Sequence, residues 1–264
     1  MITSLQNEQV KYVVSLQRSK AREEAKEFII EGTHLLEEAL NRGATISKVY
    51  FCPGKSNDEL VRLRHRVSGA GTLIEEVDEK VLHKMATTEE PQGVVATVKL
   101  PQFTWSDLKI DSKTVLLILD GIQDPGNLGA ILRTALAAGT TQVCLTSGTV
   151  DPYNPKVLRS TMGAVFGMTL LRNQKPEVVL DYCHTNSLQI LTGDKNGENV
   201  FLNESLKLPL ALVVGNEGSG PSPIFRNSKA LRITIPMANK VESLNVAMAT
   251  GILLYEIARR RDFL

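Results

Sequence analysis

The chain has 264 residues, with 42% hydrophobic and 22% charged side chains and a formal net charge of +1. These are globular averages, and the balance argues against a uniformly basic nucleic-acid wrapper. No apolar run reaches the roughly 18 residues of a membrane span, and the N-terminus MITSLQNEQVKYVVSLQRSK lacks the apolar core of a secretory signal.

Cys52, Cys144 and Cys183 are far apart and form no C-x-x-C pair, and the four histidines show no ligand spacing. The expectation is a reducing, cytoplasmic setting with no disulfide framework, no metal site and no membrane contact. A length of 264 residues suits one large domain with one small one.

In chain order, an N-terminal helical segment precedes a small α/β unit. There FIIEG and ISKVYFC read as strands around the helix THLLEEALNRG, LVRLRHRVSGAG as a helix ending on glycines, and TLIEEV and GVVATVKL as further strands. That unit spans residues 1–100, and PQFTWSDLKIDSK, residues 101–113, is a linker with no clear period. Within it two small basic patches stand out, Lys11, Arg18, Lys20 and Arg22, and Arg62, Arg64 and Arg66 around His65. A solvated helix face and a phosphate-binding face weigh about equally for such charge runs.

Residues 114–264 change pattern. The apolar strands TVLLILD, TQVCLT, FGMTLL, LQILTG, LALVVG and LRITIP alternate with helices, the signature of a mostly parallel sheet covered by helices on both faces. Ligands of such sheets bind beyond the carboxyl ends of the strands, which directs the reading to three loops.

The first loop is LDGIQDPGNLGAILRTALAAG, where Asn127 is suited to cap a helix and Gly139 to end it. From Pro125 to Val150 the only charged side chain is Arg133. A guanidinium there needs an acidic partner, an anionic ligand or water, so a salt-bridged arginine and a functional one are both open. The second loop, LVVGNEGSGPSP, has the order G-x-x-G-x-G, which matches neither the dinucleotide fingerprint nor the phosphate loop, and it holds Glu217 in its bend. The third, IPMANKVESLNVAMATGILLYEIARRR, puts Glu242, Ser243 and Asn245 at the head of a helix whose residues Val246 to Leu254 read as buried. Capping accounts for one polar residue, not for three.

N-x-G-x-x-x-R at 127–133, G-N-E-G-S-G at 215–220 and I-P-M followed by S-L-N at 235–245 resemble the three motifs of the SpoU, or TrmH-like, RNA ribose 2′-O-methyltransferases of the SPOUT superfamily. FIIEGTHLLEEAL and EEPQGVVATV likewise resemble the start and end of that family's ribosomal-protein-like substrate-binding domain. The resemblance implies a trefoil-knotted α/β sheet, S-adenosylmethionine as cofactor and a homodimer whose active site borrows residues across the interface. It also implies roles. Main-chain groups at Gly215, Ile235 and Leu244, with Thr192, Gly193 and Met237 nearby, would hold the cofactor. Arg133 would act on the ribose hydroxyl, and Asn127, Glu217, Ser243 and Asn245 would orient it and the ribose.

By the same resemblance, the small N-terminal domain implies large-subunit ribosomal RNA as substrate, since tRNA enzymes of the family usually carry short helical extensions instead. A tRNA methyltransferase is the alternative. A catalytically silent RNA-binding member would lack the polar residues of the motifs, yet all five are in place. A different sheet enzyme binding a small nucleotide is disfavoured by the missing phosphate motifs.

Overall fold

The computed structural model describes residues 1–239 and 242–261. The chain packs as two units, residues 1–102 with 153–166, and residues 103–152 with the chain from 167 onward.

In the first unit, α1 (Glu8–Ser15) and α2 (Ser19–Ala25) lead into β1 (Glu27–Glu31), α3 (Thr33–Asn41), β2 (Ile46–Phe51), α4 (Asp58–Gly69), β3 (Leu73–Glu76), α5 (Glu79–Met85) and β4 (Val94–Lys99). The strands lie in the order β1-β4-β2-β3, with β4 antiparallel to both neighbours and β2 parallel to β3. Side-chain caps start the helices where the sequence offers them: Asn57 Oδ1 accepts the N–H of Leu60 at 2.9 Å for α4, and Asp78 that of Val81 at 2.9 Å for α5. Ile29, Tyr50, Val77, Val81, Leu82, Met85 and Val95 form one side of the core with Val10 and Val13 of α1 and Leu16 just after it.

The second unit is built from β5 (Val115–Asp120), α6 (Pro125–Ala137), β6 (Gln142–Thr146), β7 (Thr169–Gln174), α8 (Pro176–Thr185), β8 (Gln189–Asn199), β9 (Leu210–Gly215), α9 (Pro223–Arg226), β10 (Leu231–Thr234) and α10 (Val246–Arg260), with α7 (Pro155–Thr161) returning to the first unit. Its six strands take the order β10-β8-β9-β5-β6-β7, and every pairing is parallel. Every residue of the central strands β5 and β9 is buried, which is why both read as unbroken apolar runs.

Three details differ from the sequence expectations. FGMTLL contributes only its second half to β7, because Ala164–Gly167 form a 3₁₀ turn. Residues 153–166 fall in the span that the sequence assigns to the second domain, but they pack in the first unit, where the Tyr153 and Phe28 ring centroids are 4.7 Å apart. Finally, α10 begins at Val246 with Asn245 as its cap, so Glu242 and Ser243 belong to the preceding loop. Its residues are not uniformly buried either: Met248 is 67%, Ile252 37% and Tyr255 43% exposed.

The topology fixes where a ligand can bind. From β5 the chain runs outward through β6 and β7, then crosses to the other side for β8, β9 and β10. The strand order therefore reverses between β5 and β9, and the carboxyl ends of those strands form the crevice of a switch point.

Candidate active site

A cavity of about 260 Å³ opens at the carboxyl end of β9, on the side of β8 and β10, lined by Gly193 and Asp194 of β8, the ends of β9 and β10, the glycine-rich loop and the start of α10. Gly193, Gly215, Ile235, Met237 and Leu244, five of the six residues expected to hold a cofactor, line it together with Glu217, Glu242 and Ser243. Thr192 does not. It is 3% exposed, in register with Val213 and Arg232 inside the sheet, and its place in β8 turns the side chain into the core.

Backbone irregularity makes the room. The pairing of β8 with β10 jumps from Thr192–Arg232 to Glu198–Ile233, so residues 193–197 bulge from the sheet edge. A Cβ built on Gly193 would meet nothing within 4 Å, so open space lies beside that backbone. Gly215 is the opposite case, since a Cβ there would fall 1.9 Å from Pro221 N and 2.1 Å from the carbonyl carbon of Gly220. The loop folds back on its own strand, and only glycine allows it.

Two side chains with no assigned part in the sequence reading hold that loop. Asn216 Oδ1 accepts the N–H groups of Gly218 at 3.0 Å and Ser219 at 3.1 Å, while its Nδ2 donates to the carbonyl of Gly121 at 2.9 Å. Asp120, 5% exposed, accepts the N–H of Ser222 at 2.6 Å and the hydroxyl of Thr146 at 2.8 Å. A carboxylate closing an otherwise apolar strand, TVLLILD, was the available signal.

The three motif loops meet in one hydrogen-bonded chain. Asn245 Nδ2 donates to Asn127 Oδ1 at 3.0 Å, and Asn127 Nδ2 donates to Glu217 Oε1 at 3.1 Å. Asn245 Oδ1 meanwhile caps α10 by accepting from Ala247 and Met248. The α6 cap is not Asn127 but Asp124, which accepts the Asn127 N–H at 2.7 Å, leaving the Asn127 amide free to bridge.

Burial alone would raise the Glu217 pKa. Donation from Asn127 and from backbone N–H groups, including those of Asp124 and Gln123, outweighs it and holds the carboxyl below its ordinary range. A depressed pKa contributes stability that is present above the unfolded value and lost as pH falls through the folded one, so the cluster is intact at neutral pH.

Arg133 stands apart. It is exposed on α6, with no ion pair or hydrogen bond to any described residue. Six residues separate it from Asn127, which on a helix is about 9 Å along the axis and about 120° around it. Burial pushes the Cys183 thiol up to about 12 and raises that of Cys144 too, which removes both as thiolate nucleophiles.

The residues expected to contact RNA divide in the same way. Arg18 and Arg62 are exposed with no partner among the described residues. Lys11 pairs with Glu8, Lys20 with Glu24, Arg64 with Glu76, and Arg66 with Glu37, all at the surface and therefore exchangeable. Arg22 is a correction. It is 2% exposed, and its guanidinium donates to the carbonyls of Leu16 and Gln17 at 2.9 Å each, capping the end of α1 rather than facing a phosphate. Arg22→Met should cost about 2–4 kcal/mol through the carbonyls left unpaired, read as a lower melting temperature, with the salt dependence of RNA binding unchanged. An unchanged melting temperature would contradict that structural role.

Comparison with known proteins agrees with this geometry. Residues 114–255 match the model of the SpoU rRNA Methylase family, and residues 7–96 that of the MRM3-like substrate binding domain. The chain is 34% identical over 263 residues to a Bacillus subtilis protein named 23S rRNA (guanosine(2553)-2′-O)-methyltransferase RlmP, covering 97% of this chain and 98% of the relative. It is 37% identical over 260 residues, 98% of this chain and 94% of the relative, to an uncharacterised tRNA/rRNA methyltransferase of Synechocystis sp..

Among solved structures, the AdoMet-bound rRNA methyltransferase from Sinorhizobium meliloti superposes with a TM-score of 0.87 at 30% identity, covering 98% of this chain and 97% of the other. The cavity fits such a cofactor, with apolar walls from Val214, Ile235 and Leu253 for a purine and open space at Gly193. Parallel sheet, a cavity at the carboxyl end of β9, joined motif loops and full-length similarity place the chain in the SpoU rRNA methylase family, an S-adenosylmethionine-dependent methyltransferase family.

Proposed function

We propose that this protein methylates a ribose 2′-hydroxyl of large-subunit ribosomal RNA, acting in the cytoplasm as a homodimer. The observation that carries the reading is the chain Asn245–Asn127–Glu217, which joins all three motif loops at the cofactor cavity. S-adenosylmethionine supplies an activated methyl group, so the protein has to align a hydroxyl with it and stabilise the charge that moves.

Glu217, held ionised by its donors, is a weak base and serves as the anchor that fixes Asn127. Asn127 has both ends of its amide engaged and bridges Glu217 to Asn245. Ser243, exposed on the cavity wall, offers a hydroxyl to the ribose. A guanidinium offers donors and no acceptor, so the part of Arg133 is to hold the ribose and the adjacent phosphate with its planar fork.

Two observations support the dimer. Met248, Ile252 and Tyr255 are spaced i, i+4, i+7 and form one exposed apolar stripe on α10. Arg133, without a partner among the described residues, lies on α6, which packs against α10 so closely that a Cβ on Gly251 would come 3.3 Å from Thr134 Cγ2. A second copy covering the stripe would bring its own Arg133 to this cluster. The trefoil knot belongs to the same reading, supported by the match to the SpoU rRNA Methylase family model.

Substrate choice is tested by transfer from labelled S-adenosylmethionine to deproteinised 23S rRNA and to bulk tRNA in parallel. Labelling of the 23S rRNA is the expected result. Labelling of tRNA alone would overturn the ribosomal assignment.

A further inference from the structure

The first unit holds a second concavity of about 260 Å³, lined by Thr33, Lys55, Asn57, Glu59 and Gln92. It opens at the N-terminus of α3, whose cap position is Gly32 and whose first turn has neither an acidic residue nor a side-chain cap. Gln92 Oε1 accepts the Thr33 N–H at 3.4 Å, while the N–H groups of His34 and Leu35 have no acceptor among the described residues. No residue of α3 itself compensates the positive end of the helix dipole.

An independent feature points to a ligand. Thr33 is 7% exposed and lines the concavity, yet its hydroxyl makes no hydrogen bond with any described residue. The hydroxyl is not among the enclosed unpaired atoms, so it keeps an open side from which a ligand in the concavity can be bonded. Lys55, exposed and with no ion-pair partner among the described residues, supplies a full positive charge beside it. Gly32 and Gly93 adopt φ of +92° and +90°, and a Cβ on either would come 2.6 Å from a neighbouring side-chain atom. Backbone is thereby brought close on two sides.

Glu59 adds a carboxylate to the same wall. A bare phosphate meets that group as repulsion. A ribonucleotide brings a hydroxyl donor next to its phosphate and satisfies both.

We propose that this concavity seats a backbone phosphate of the substrate RNA against Thr33, Lys55 and the α3 N-terminus, with Glu59 accepting from the adjacent 2′-hydroxyl. The seat rests on the reading of the chain as an RNA methyltransferase.

The test is fluorescence anisotropy of the full-length protein with a labelled 23S rRNA transcript, beside S-adenosylmethionine calorimetry on the same preparations. Thr33→Val, nearly isosteric, and Lys55→Gln should each weaken RNA binding about five- to tenfold, while Thr33→Ser binds like wild type. Lys55→Gln should also flatten the slope of log affinity against log salt by roughly 0.7–0.9, the share of one neutralised phosphate. Cofactor affinity should stay unchanged in all three.

A wild-type protein that binds RNA while all variants bind it equally well would overturn the seat and leave the methyltransferase reading standing. A wild-type protein that binds cofactor but no RNA would overturn both. Inorganic phosphate separates the sources: amide shifts at His34 and Leu35 that saturate with phosphate, together with RNA affinities untouched by the substitutions, would mark a free-anion site and overturn the proposal.

Discussion

Arg133→Lys is expected to fold, dimerise and bind S-adenosylmethionine as wild type while losing methyl transfer by on the order of a hundredfold or more, the scale seen when a positioned charged group is removed. Position decides the first half of that result. Arg133 is exposed and has no partner among the described residues, so replacing it leaves no buried charge behind and should shift stability by no more than about 0.5 kcal/mol. Shape decides the second half, because an ammonium lacks the planar fork that holds two oxygens at once.

If the arginine acts across a dimer interface, mixing Arg133→Lys with Asn127→Ala protein should restore activity. Random pairing places one intact site in each heterodimer, or roughly a quarter of wild-type turnover. Single-turnover methylation beside a cofactor titration measures all of this. Near-normal turnover in the lysine variant would remove the catalytic role, and a mixture that stays inactive would place Arg133 and Asn127 in the same subunit's site.

Gly215→Val is expected to have the next largest effect. The added side chain meets the loop's own backbone before any ligand, at 1.9 Å from Pro221 N. The turn that Asn216 and Asp120 hold must then open, and Gly215, Glu217, Gly220 and Pro221 all leave the cavity wall together. Affinity for S-adenosylmethionine should fall on the order of a hundredfold, with a lower melting temperature from the displaced loop. A folded variant with normal cofactor affinity would show that the cofactor binds elsewhere.

The sheet was readable because its central strands are buried on both faces, so TVLLILD and LALVVG appear as uninterrupted apolar runs. The site was readable because Asn127, Glu217 and Asn245, which bond to one another beside the cavity, come from three loops that each carry their own short pattern. What the sequence obscured lies in side-chain direction and in long-range packing. Arg22 sits in a basic run like its neighbours, and only the fold shows it turned inward onto the α1 carbonyls. Thr192 adjoins Gly193, but strand alternation sends its side chain to the core.

Met248 and Ile252 read as core because an exposed apolar helix face has the same composition as one covered by its own domain. The return of residues 153–166 to the first unit had no local signal, since PYNPKVLRST carries an ordinary helix start with Asn154 as its cap.

The central claim is that the methyl group ends on a ribose oxygen. Purified protein incubated with deproteinised 23S rRNA and S-adenosylmethionine bearing a deuterated methyl group, followed by digestion to nucleosides and mass spectrometry, reads this directly. The account predicts heavy label in a single 2′-O-methylnucleoside, absent from the Arg133→Lys reaction. Heavy label in a methylated base, or none in RNA from a protein that binds the cofactor, would contradict it.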